Sequence, residues 1–337
     1  MPRPTVSIVP ATPDQIDTAV RAAIDRVDGL AALQGSERVL LKPNLGWDLP
    51  LPGAVTNGRV IAAVVSALLD AGHSVTIIEA DQVLVDITAA ARQAGVFGLT
   101  DHPEVSWMNL SHDDFVEVPV PGAVSGVPIR LPRIVTEHPL VTVPVLKTHA
   151  KTVISGAVKN HWGLLPIDRY RLHPQLTEVL TDLIRAAPPA LCLMDATVAL
   201  EGNGPKSGRP RRVDHVLAST DPLAMDVTAA RMMGIRPEEV PHLVRLAEVQ
   251  GQTLSAEVLG ALPPLEPFAL ANHNLVSQIE ERLNTGTPST LLSHDAAFRL
   301  MCTGARAWYH AWFHWGPGQS LRAAVQRRAG SSSEQSS

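Results

Sequence analysis

Apolar residues in the first two-thirds of the chain follow two alternating spacings. Short β-branched runs such as residues 5–9 lead into stretches where apolar residues recur every three or four positions, as Ile16, Val20 and Ile24 do. The first spacing is typical of buried strands, and the second of helices that lay one face on a sheet. Their alternation predicts an α/β fold with a mostly parallel sheet and flanking helices.

The same pattern predicts further elements along this part of the chain. Strands are predicted at residues 39–41, 75–78, 140–146, 190–194 and 216–218. Helices are predicted at residues 57–71, 87–95, 153–162 and 174–185.

Two stretches depart from the alternation. Residues 115–131 alternate polar and apolar positions around Pro and Gly, which predicts an antiparallel hairpin, or flap, inserted beside the parallel core. After Gly234 the pattern weakens into helical fragments, proline-rich joints and a final serine-rich stretch. We therefore expect an α/β core over residues 1–240, a helical C-terminal region over 241–328 and a disordered tail over 329–337.

Composition excludes several classes of protein. The chain has 28 Lys+Arg against 33 Asp+Glu, a formal net charge of −5, so we expect neither nucleic acid nor a membrane as a partner. Its two cysteines, Cys192 and Cys302, are too few for an iron–sulfur cluster or a four-cysteine zinc site. The chain begins without a long apolar stretch and has no run of about 18 apolar residues, which predicts a cytoplasmic protein.

Nucleotide motifs are missing as well. No GxGxxG follows the first predicted strand, and no GxxxxGK[ST] occurs anywhere in the sequence. Because these motifs form the phosphate-binding loops of the common dinucleotide and ATP sites, we expect neither NAD(P) nor ATP as a cofactor.

Charged residues directly follow four of the predicted strands. They are Lys42, Glu79, Lys147 and Asp195. Ligands of open parallel sheets bind beyond the carboxyl ends of the strands, so these four positions predict a site there. Pro43 restrains Lys42 to an extended conformation, which suits it and Asn44 to hold an anionic group.

The densest group of reactive side chains lies within residues 147–161. It contains Lys147, His149, Lys151, Lys159, Asn160 and His161. Neighbouring cations lower one another's pKa, and a lysine brought towards neutrality can act as a base or form an imine. A helix that begins near Thr152 would place Ser155 and Lys159 on one face. The alternative is a solvated basic helix face with structural histidines.

A small anionic substrate, with a carboxylate as the expected group, would fit these residues. We expect an isomerase, lyase or decarboxylase in which the catalytic residues are Lys147, His149, Lys159, Asp195 and Glu201. The residues expected to bind the substrate are Lys42, Asn44, Lys151, Asn160, Asn203 and Gly204. The loop over residues 201–208 is flexible enough in composition to be a lid.

Two other functions remain open from the sequence. His149, His161 and Glu79 are acceptable ligands for a divalent metal such as iron, which would support an oxidoreductase, although no ligand spacing is diagnostic. The aromatic stretch over residues 308–315 has three tryptophans, Trp308, Trp312 and Trp315, at helical spacing. It could serve a non-enzymatic binding protein or join copies of the chain into a homo-oligomer.

Five segments that follow one another in order link the chain to a known family. They read VLLKPNLG, AGHSVTIIEAD, VPVLKTHAKTVISGAVKNHWG, EGNGP and STDPLAMDVTAARMMG. With them the chain resembles the DUF362 family, prokaryotic proteins named for an uncharacterised domain, over roughly residues 38–235. By this resemblance, the residues on motif positions are Lys42, Asn44, Lys147, Thr148, His149, Lys159, Asn160, Glu201, Asn203, Gly204, Asp221 and Asp226.

The resemblance also carries an expectation that this chain does not meet. Many members of the family have ferredoxin-like cysteine motifs, which implies redox roles for them. This chain has no such motif, so an iron–sulfur cluster is not expected.

Overall fold

The structure is a computed structural model that describes residues 3–48, 51–83, 85–205 and 208–271, together with scattered positions between 296 and 315. The strands are β1 (Thr5–Pro10), β2 (Arg38–Pro43), β3 (Ser74–Glu79), β4 (Val105–Asn109), β5 (Phe115–Val118), β6 (Ile129–Pro132), β7 (Leu140–Val143), β8 (Val145–His149), β9 (Val153–Ser155), β10 (Leu191–Glu201), β11 (Arg209–Ser219) and β12 (Glu257–Leu259).

The α-helices of this part of the chain are α1 (Ile16–Arg26), α2 (Gly58–Asp70), α3 (Ile87–Gln93), α4 (Val96–Leu99), α5 (Arg133–Glu137), α6 (Ala157–Asn160), α7 (Leu176–Ala186), α8 (Pro222–Met232) and α9 (Pro241–Gln250). The 3-10 helices are Pro13–Gln15, Ala31–Leu33, Leu110–His112, His161–Leu164, Ile167–Gln175 and Pro237–Glu239.

A ten-stranded sheet forms the centre of the molecule, with the order β12-β1-β11-β10-β7-β2-β3-β4 and with β8 and β9 attached through β10. Strands β10, β7, β2, β3 and β4 run parallel to one another, whereas β11 is antiparallel to both β1 and β10. The predicted α/β fold with a mostly parallel sheet is therefore confirmed.

Helices cover both faces of this sheet. Successive side chains of a strand point to opposite faces, so Leu40 packs in one apolar cluster and Leu41 in the other. Helices α1, α2 and α3 bury their apolar faces on the cluster that contains Leu41, and α6 to α9 on the cluster that contains Leu40. Burial on both faces explains why these strands are continuous apolar runs in the sequence.

The predicted single strand over residues 140–146 is two strands. Pro144 has no N–H for the ladder, and β7 ends immediately before it. Beyond the proline, β8 remains a parallel partner of β10, where Val145 lies opposite Asp195, whereas the pairing with β2 ends at Val143. The carboxyl end of β8 therefore extends past the paired part of β2, at the edge where the site lies.

The predicted helix over residues 153–162 is wrong. Its first residues form β9, a short antiparallel partner of β8 in which Ser155 lies opposite Lys147. The helix α6 begins only after Gly156, whose bare backbone lies against the carboxylate of Asp226, and the chain continues as a 3-10 helix. Ser155 and Lys159 consequently do not share a helical face.

The predicted hairpin over residues 115–131 is confirmed as a separate two-stranded sheet of β5 and β6. The predicted division of the chain at residue 240 stays a prediction. Beyond it, α9 packs on α7, and β12 extends the sheet by pairing with β1. Most of the predicted helical C-terminal region and the whole tail over 329–337 lie outside the described residues.

Candidate functional site

A buried ion pair joins the carboxyl ends of β2 and β3. The Nζ atom of Lys42 lies 2.7 Å from Oε2 of Glu79, and the two side chains are 1% and 3% exposed. Burial lowers the pKa of Lys42, and the carboxylate of Glu79 only partly offsets this. A Cβ atom at Gly163 would lie 2.5 Å from Oε1 of Glu79, so the 3-10 helix covers the pair with its backbone.

Hydrogen bonds connect this pair to Lys147. Its Nζ donates to Oδ1 of Asn44 at 3.0 Å and to the carbonyl of Ala54 at 2.7 Å. Asn44 donates in turn to Oδ1 of Asn160 at 3.2 Å, and Asn160 donates to Oγ1 of Thr142 at 2.8 Å. The structure therefore brings together the predicted residues that follow β2, the end of β8 and α6.

Lys159 differs from Lys42 and Lys147 in its hydrogen bonding. Its Nζ atom lies 5.1 Å from the ring centre of Trp162, and no acceptor within the described residues forms a hydrogen bond or ion pair with it. Burial, and then the charges of Arg169, Lys147 and other neighbouring cations, lower the pKa of Lys159 to about 7. An amine with this pKa exchanges its proton readily near neutral pH.

His149 is held as a neutral ring. Its Nδ1 accepts the backbone N–H groups of Lys151 at 3.0 Å and Thr152 at 3.4 Å, so we assign the ring proton to Nε2. Burial and the charges of nearby lysines, Lys159 first among them, lower the pKa of His149 well below its usual 6.5. The ring is thus suited to donate a hydrogen bond from Nε2, and poorly suited to accept a proton.

Asp195 braces the start of α2. Its carboxylate accepts the backbone N–H of Asn57 at 2.8 Å and both the N–H and the hydroxyl of Thr197 at 2.9 and 2.6 Å. Burial raises the pKa of Asp195, against the effect of these hydrogen bonds. With all of these donors at its oxygens, Asp195 has a sufficient structural reason for its position, and its catalytic role stays a prediction.

Glu201 lines a cavity that is separate from the lysine cluster. Its carboxylate forms ion pairs with Arg209 and Arg211, and Arg211 lies over the ring of Phe268. These residues line a cavity of about 520 Å³ to which none of the lysines contributes. Although burial opposes it, the hydrogen bonds from the two arginines lower the pKa of Glu201. A carboxylate held in this way is a weak candidate for moving protons at the lysines.

The turn between β10 and β11 lies on the end of β8. Ala150 donates its N–H to the carbonyl of Gly204 at 3.3 Å, and a Cβ atom at Gly204 would overlap the carbonyl of Thr148. The adjacent Asn203 is therefore placed beside the end of the strand that carries His149. Residues 206 and 207 lie outside the described part of the chain, so the predicted lid over 201–208 stays a prediction.

The three residues suggested as metal ligands each have a bond of their own, although Nε2 of His161 is buried without a partner among the described residues. Nδ1 of His161 lies 2.8 Å from the carbonyl of Ala157, and burial lowers the pKa of His161 to about 4. Glu79 is bound to Lys42. Among the residues that the structure describes, no three His, Cys, Asp or Glu side chains are grouped as metal ligands. The metal-dependent alternative stays a prediction.

Sequence reasoning missed Arg169, Trp162 and His173. Arg169 is 2% exposed and donates to the carbonyls of Leu165 and Asp81, which places its charge next to the lysines. Lysine usage is a further signal for the lysine cluster itself, although not for these three residues. The chain has only five lysines, and four of them, at positions 42, 147, 151 and 159, lie in this region, whereas arginine supplies the other positive charges.

A buried carboxylate sets the position of α6. The oxygens of Asp226 on α8 accept the N–H groups of Ala157 at 2.7 Å and Val158 at 3.0 Å. Burial raises the pKa of Asp226 to about 7, even though these two bonds favour its charged form. Since Lys159 and Asn160 follow on the same short helix, Asp226 is a positioning residue for both.

Asp226→Ala is expected to destabilise the protein by about 2–5 kcal/mol, because each buried N–H left without an acceptor costs roughly 1–3 kcal/mol. Chemical unfolding would measure the change. Asp221→Ala is the matched control: Asp221 is the N-cap of the same helix α8 and accepts one backbone N–H, from Ala224 at 2.7 Å, and an exposed amide N–H of Gln252. Its loss should cost only about 1 kcal/mol. Equal costs for the two variants would contradict the role of Asp226.

The fold and the site together define an α/β protein with a cationic, lysine-rich site at the carboxyl edge of a parallel sheet. The family model for DUF362, a domain of unknown function, matches residues 39–231, which is more than half of the chain. The chain therefore belongs to the DUF362 family, and the predicted resemblance is confirmed.

A thylakoid-associated protein of Synechocystis sp. (strain ATCC 27184 / PCC 6803 / Kazusa) is similar over most of its length. The two sequences are 23% identical over 286 residues, which cover 82% of this chain and 87% of the relative. Within the described part of this chain, no helix combines the length and the apolar character needed to cross a membrane.

Proposed function

We propose that the protein is an enzyme that binds a small carboxylate at the carboxyl ends of β2, β3 and β8 and moves a proton on it with the amine of Lys159. The observation that supports this most directly is the state of Lys159. This amine lies among other cations, has no acceptor within the described residues, and has a pKa of about 7. It is suited both to bind an anion and to take up a proton.

The reactions that fit are isomerisation, elimination and decarboxylation of a carboxylate. Each of the first two requires a base that removes a proton from carbon near an electron-withdrawing group. If the substrate also has a carbonyl group, the neutral amine of Lys159 can add to it and release water, which leaves an imine able to accept the electrons of a broken C–C bond. His149 would donate a hydrogen bond from Nε2 to a substrate oxygen.

The other predicted residues support this arrangement. Lys42, paired with Glu79, and Lys147, bonded to Asn44, are buried and form a rigid base beneath the proposed binding surface. The charge of Lys151 acts on Lys159 and His149, and its backbone N–H fixes the ring of His149. These contacts hold the side chains in place before a ligand arrives, which lowers the cost of ordering them.

Borohydride trapping with a panel of small carboxylates tests the proposal. The protein is incubated with 2-oxo acids such as pyruvate, and with the corresponding 2-hydroxy acids as controls, reduced, digested and analysed by mass spectrometry. We expect a stable adduct on Lys159 with a 2-oxo acid and none with the hydroxy acids. The proposal is overturned if no carboxylate raises the melting temperature or forms an adduct, and Lys159 also titrates with the ordinary pKa of a lysine.

A non-enzymatic binding role is the second candidate, because Trp308 and Trp315 are 64% and 82% exposed. The occupant we propose for them is a second copy of the chain. Sedimentation measurements on wild type and on the Trp308→Ala, Trp315→Ala double variant test this, since a dimer should dissociate in the variant. Trp312, the residue between them in the predicted stripe, lies outside the described residues.

The compartment proposed for the enzyme is the cytoplasm. The relative named as thylakoid-associated makes a membrane-bound fraction the alternative. Cell fractionation followed by immunodetection distinguishes the two.

A further inference from the structure

Three rings form a continuous wall beside the lysines. Trp162 stacks on His173 with ring centres 5.4 Å apart, and Tyr170 meets His173 edge-on at 5.3 Å. We call these three side chains the aromatic wall. Lys159 lies over Trp162 at one end, and the guanidinium of Arg169 lies 5.5 Å from the ring centre of Tyr170 at the other.

Neither of these two cations has an acidic partner among the described residues. Nη1 of Arg169 donates to the carbonyl of Leu165 at 2.9 Å and Nη2 to that of Asp81 at 2.8 Å, and both acceptors are neutral. By contrast, the nearby charge of Lys42 is balanced by Glu79. A buried charge without a counter-ion is costly, so the pair of cations favours a ligand that brings negative charge.

Two of the residues at this wall have hydrogen-bond donors without an acceptor. Nε of Arg169 and Nε1 of Trp162 are buried and have no acceptor. Their side chains are 2% and 6% exposed, so solvent at the surface does not satisfy them. Buried polar groups are nearly always paired in folded proteins, and exceptions often mark the place of a ligand or water.

We propose that the ligand of this site carries two anionic groups, one bound by Lys159 and the other by Arg169, and lies along the aromatic wall between them. This inference rests on the proposed function and narrows its substrate class to dicarboxylates or phosphorylated carboxylates. Arg169 is then a substrate-binding and specificity-determining residue, while Lys159 serves both binding and proton transfer.

Calorimetric binding of matched acids tests this on the wild-type protein, at constant ionic strength. The pairs are glutarate against butyrate, isophthalate against benzoate, and phosphonoacetate against acetate. We expect the dianion of at least one pair to bind with a Kd at least tenfold lower than its monoanion. The first two pairs report on dicarboxylates and the third on phosphorylated ligands.

Variants then locate the second anion. Arg169→Gln should raise the dianion Kd about tenfold and change the monoanion Kd less, and Arg169→Lys should retain part of the preference. Arg236→Gln is the control, because Arg236 is an exposed arginine paired only with Glu239. Since Arg169 also holds backbone carbonyls, circular dichroism must first show that its variants are folded.

The outcomes separate the two proposals. Monocarboxylates that bind as tightly as their dianionic partners would overturn the two-anion ligand and leave the proposed function standing. Absence of binding by every acid would overturn the two-anion ligand, and it would overturn the proposed function as well if Lys159 also titrates with the ordinary pKa of a lysine. A dianion preference that survives intact in folded Arg169→Gln would overturn the assignment of Arg169.

Discussion

Lys159→Met is expected to lower turnover at least about 100-fold, because a positioned acid–base group contributes roughly 10²–10⁴-fold to a rate. The same change is expected to stabilise the folded protein below pH 7. Both effects have one cause, which is that Lys159 is partly buried among other cations. The charged form of the amine there destabilises the folded protein, and the neutral form can act as a base.

The sign of the stability change follows from linkage. The pKa of Lys159 is about 7 in the folded protein, against an ordinary 10.5. Below pH 7 the amine is charged in both states, so the folded state bears the full cost of the buried charge. Between pH 7 and 10.5 the unfolded chain binds more protons, and stability therefore rises with pH. The gain in stability of Lys159→Met over wild type should accordingly be largest at pH 6 and should decrease towards pH 10.

Melting curves of wild type and variant at pH 6, 8 and 10 provide the measurement, together with adduct formation or turnover on the substrate found. Lys159→Arg is the control. It retains the charge at every pH, so it should lose activity without gaining stability at pH 6. A methionine variant that is less stable than wild type at pH 6 would contradict the lowered pKa.

Lys42→Met is expected to destabilise the protein by about 3–5 kcal/mol, because removing one member of a buried ion pair leaves the other uncompensated. Glu79 is 3% exposed, and among the described residues the hydrogen-bond donors left to it would be the backbone N–H groups of Ala80 and Leu45. Chemical unfolding would measure the loss. The expected result therefore differs in sign from that at Lys159, although both residues are site lysines.

A double-mutant cycle identifies the cause. Glu79→Gln combined with Lys42→Met removes both charges, so it should cost less than the sum of the two single changes, with a coupling of roughly 0.5–3 kcal/mol. The surface pair of Arg236 and Glu239 is the control, because water and salt screen exposed pairs and their coupling is small. Additive losses at Lys42 and Glu79 would show that the pair is not coupled.

Much of the fold could be predicted from hydrophobic spacing because both faces of the sheet are buried. Lys42, Glu79 and Lys147 were found because each directly follows an apolar run, but the structure places them inside β2, β3 and β8, where they are only 1–2% exposed. Asp195, expected directly after a strand, likewise lies inside β10, because that strand continues to Glu201. The fold rule that ligands bind at this edge then placed them together.

Other parts of the site depend on contacts between distant segments, which local spacing does not contain. Residues 153–162 have helical periodicity, yet pairing with β8 and the carboxylate of Asp226 divide them into a strand and a short helix. Arg169 was missed because arginines are common in this chain, and only its burial distinguishes it. The neutral state of His149 likewise depends on its burial and on nearby lysine charges that only the folded protein brings together.

The break at Pro144 has a consequence for how motion reaches the site. Where β7 and β8 part, the carbonyl of Val143 accepts the hydroxyl of Thr56 at 2.7 Å, and the hydroxyl of Thr142 accepts Asn160. Side chains from the loop before α2 and from α6 thus stabilise the junction between β7 and β8. A ligand in the site should restrict the motion of both side chains, and we expect slower amide hydrogen exchange along residues 140–149 as a result.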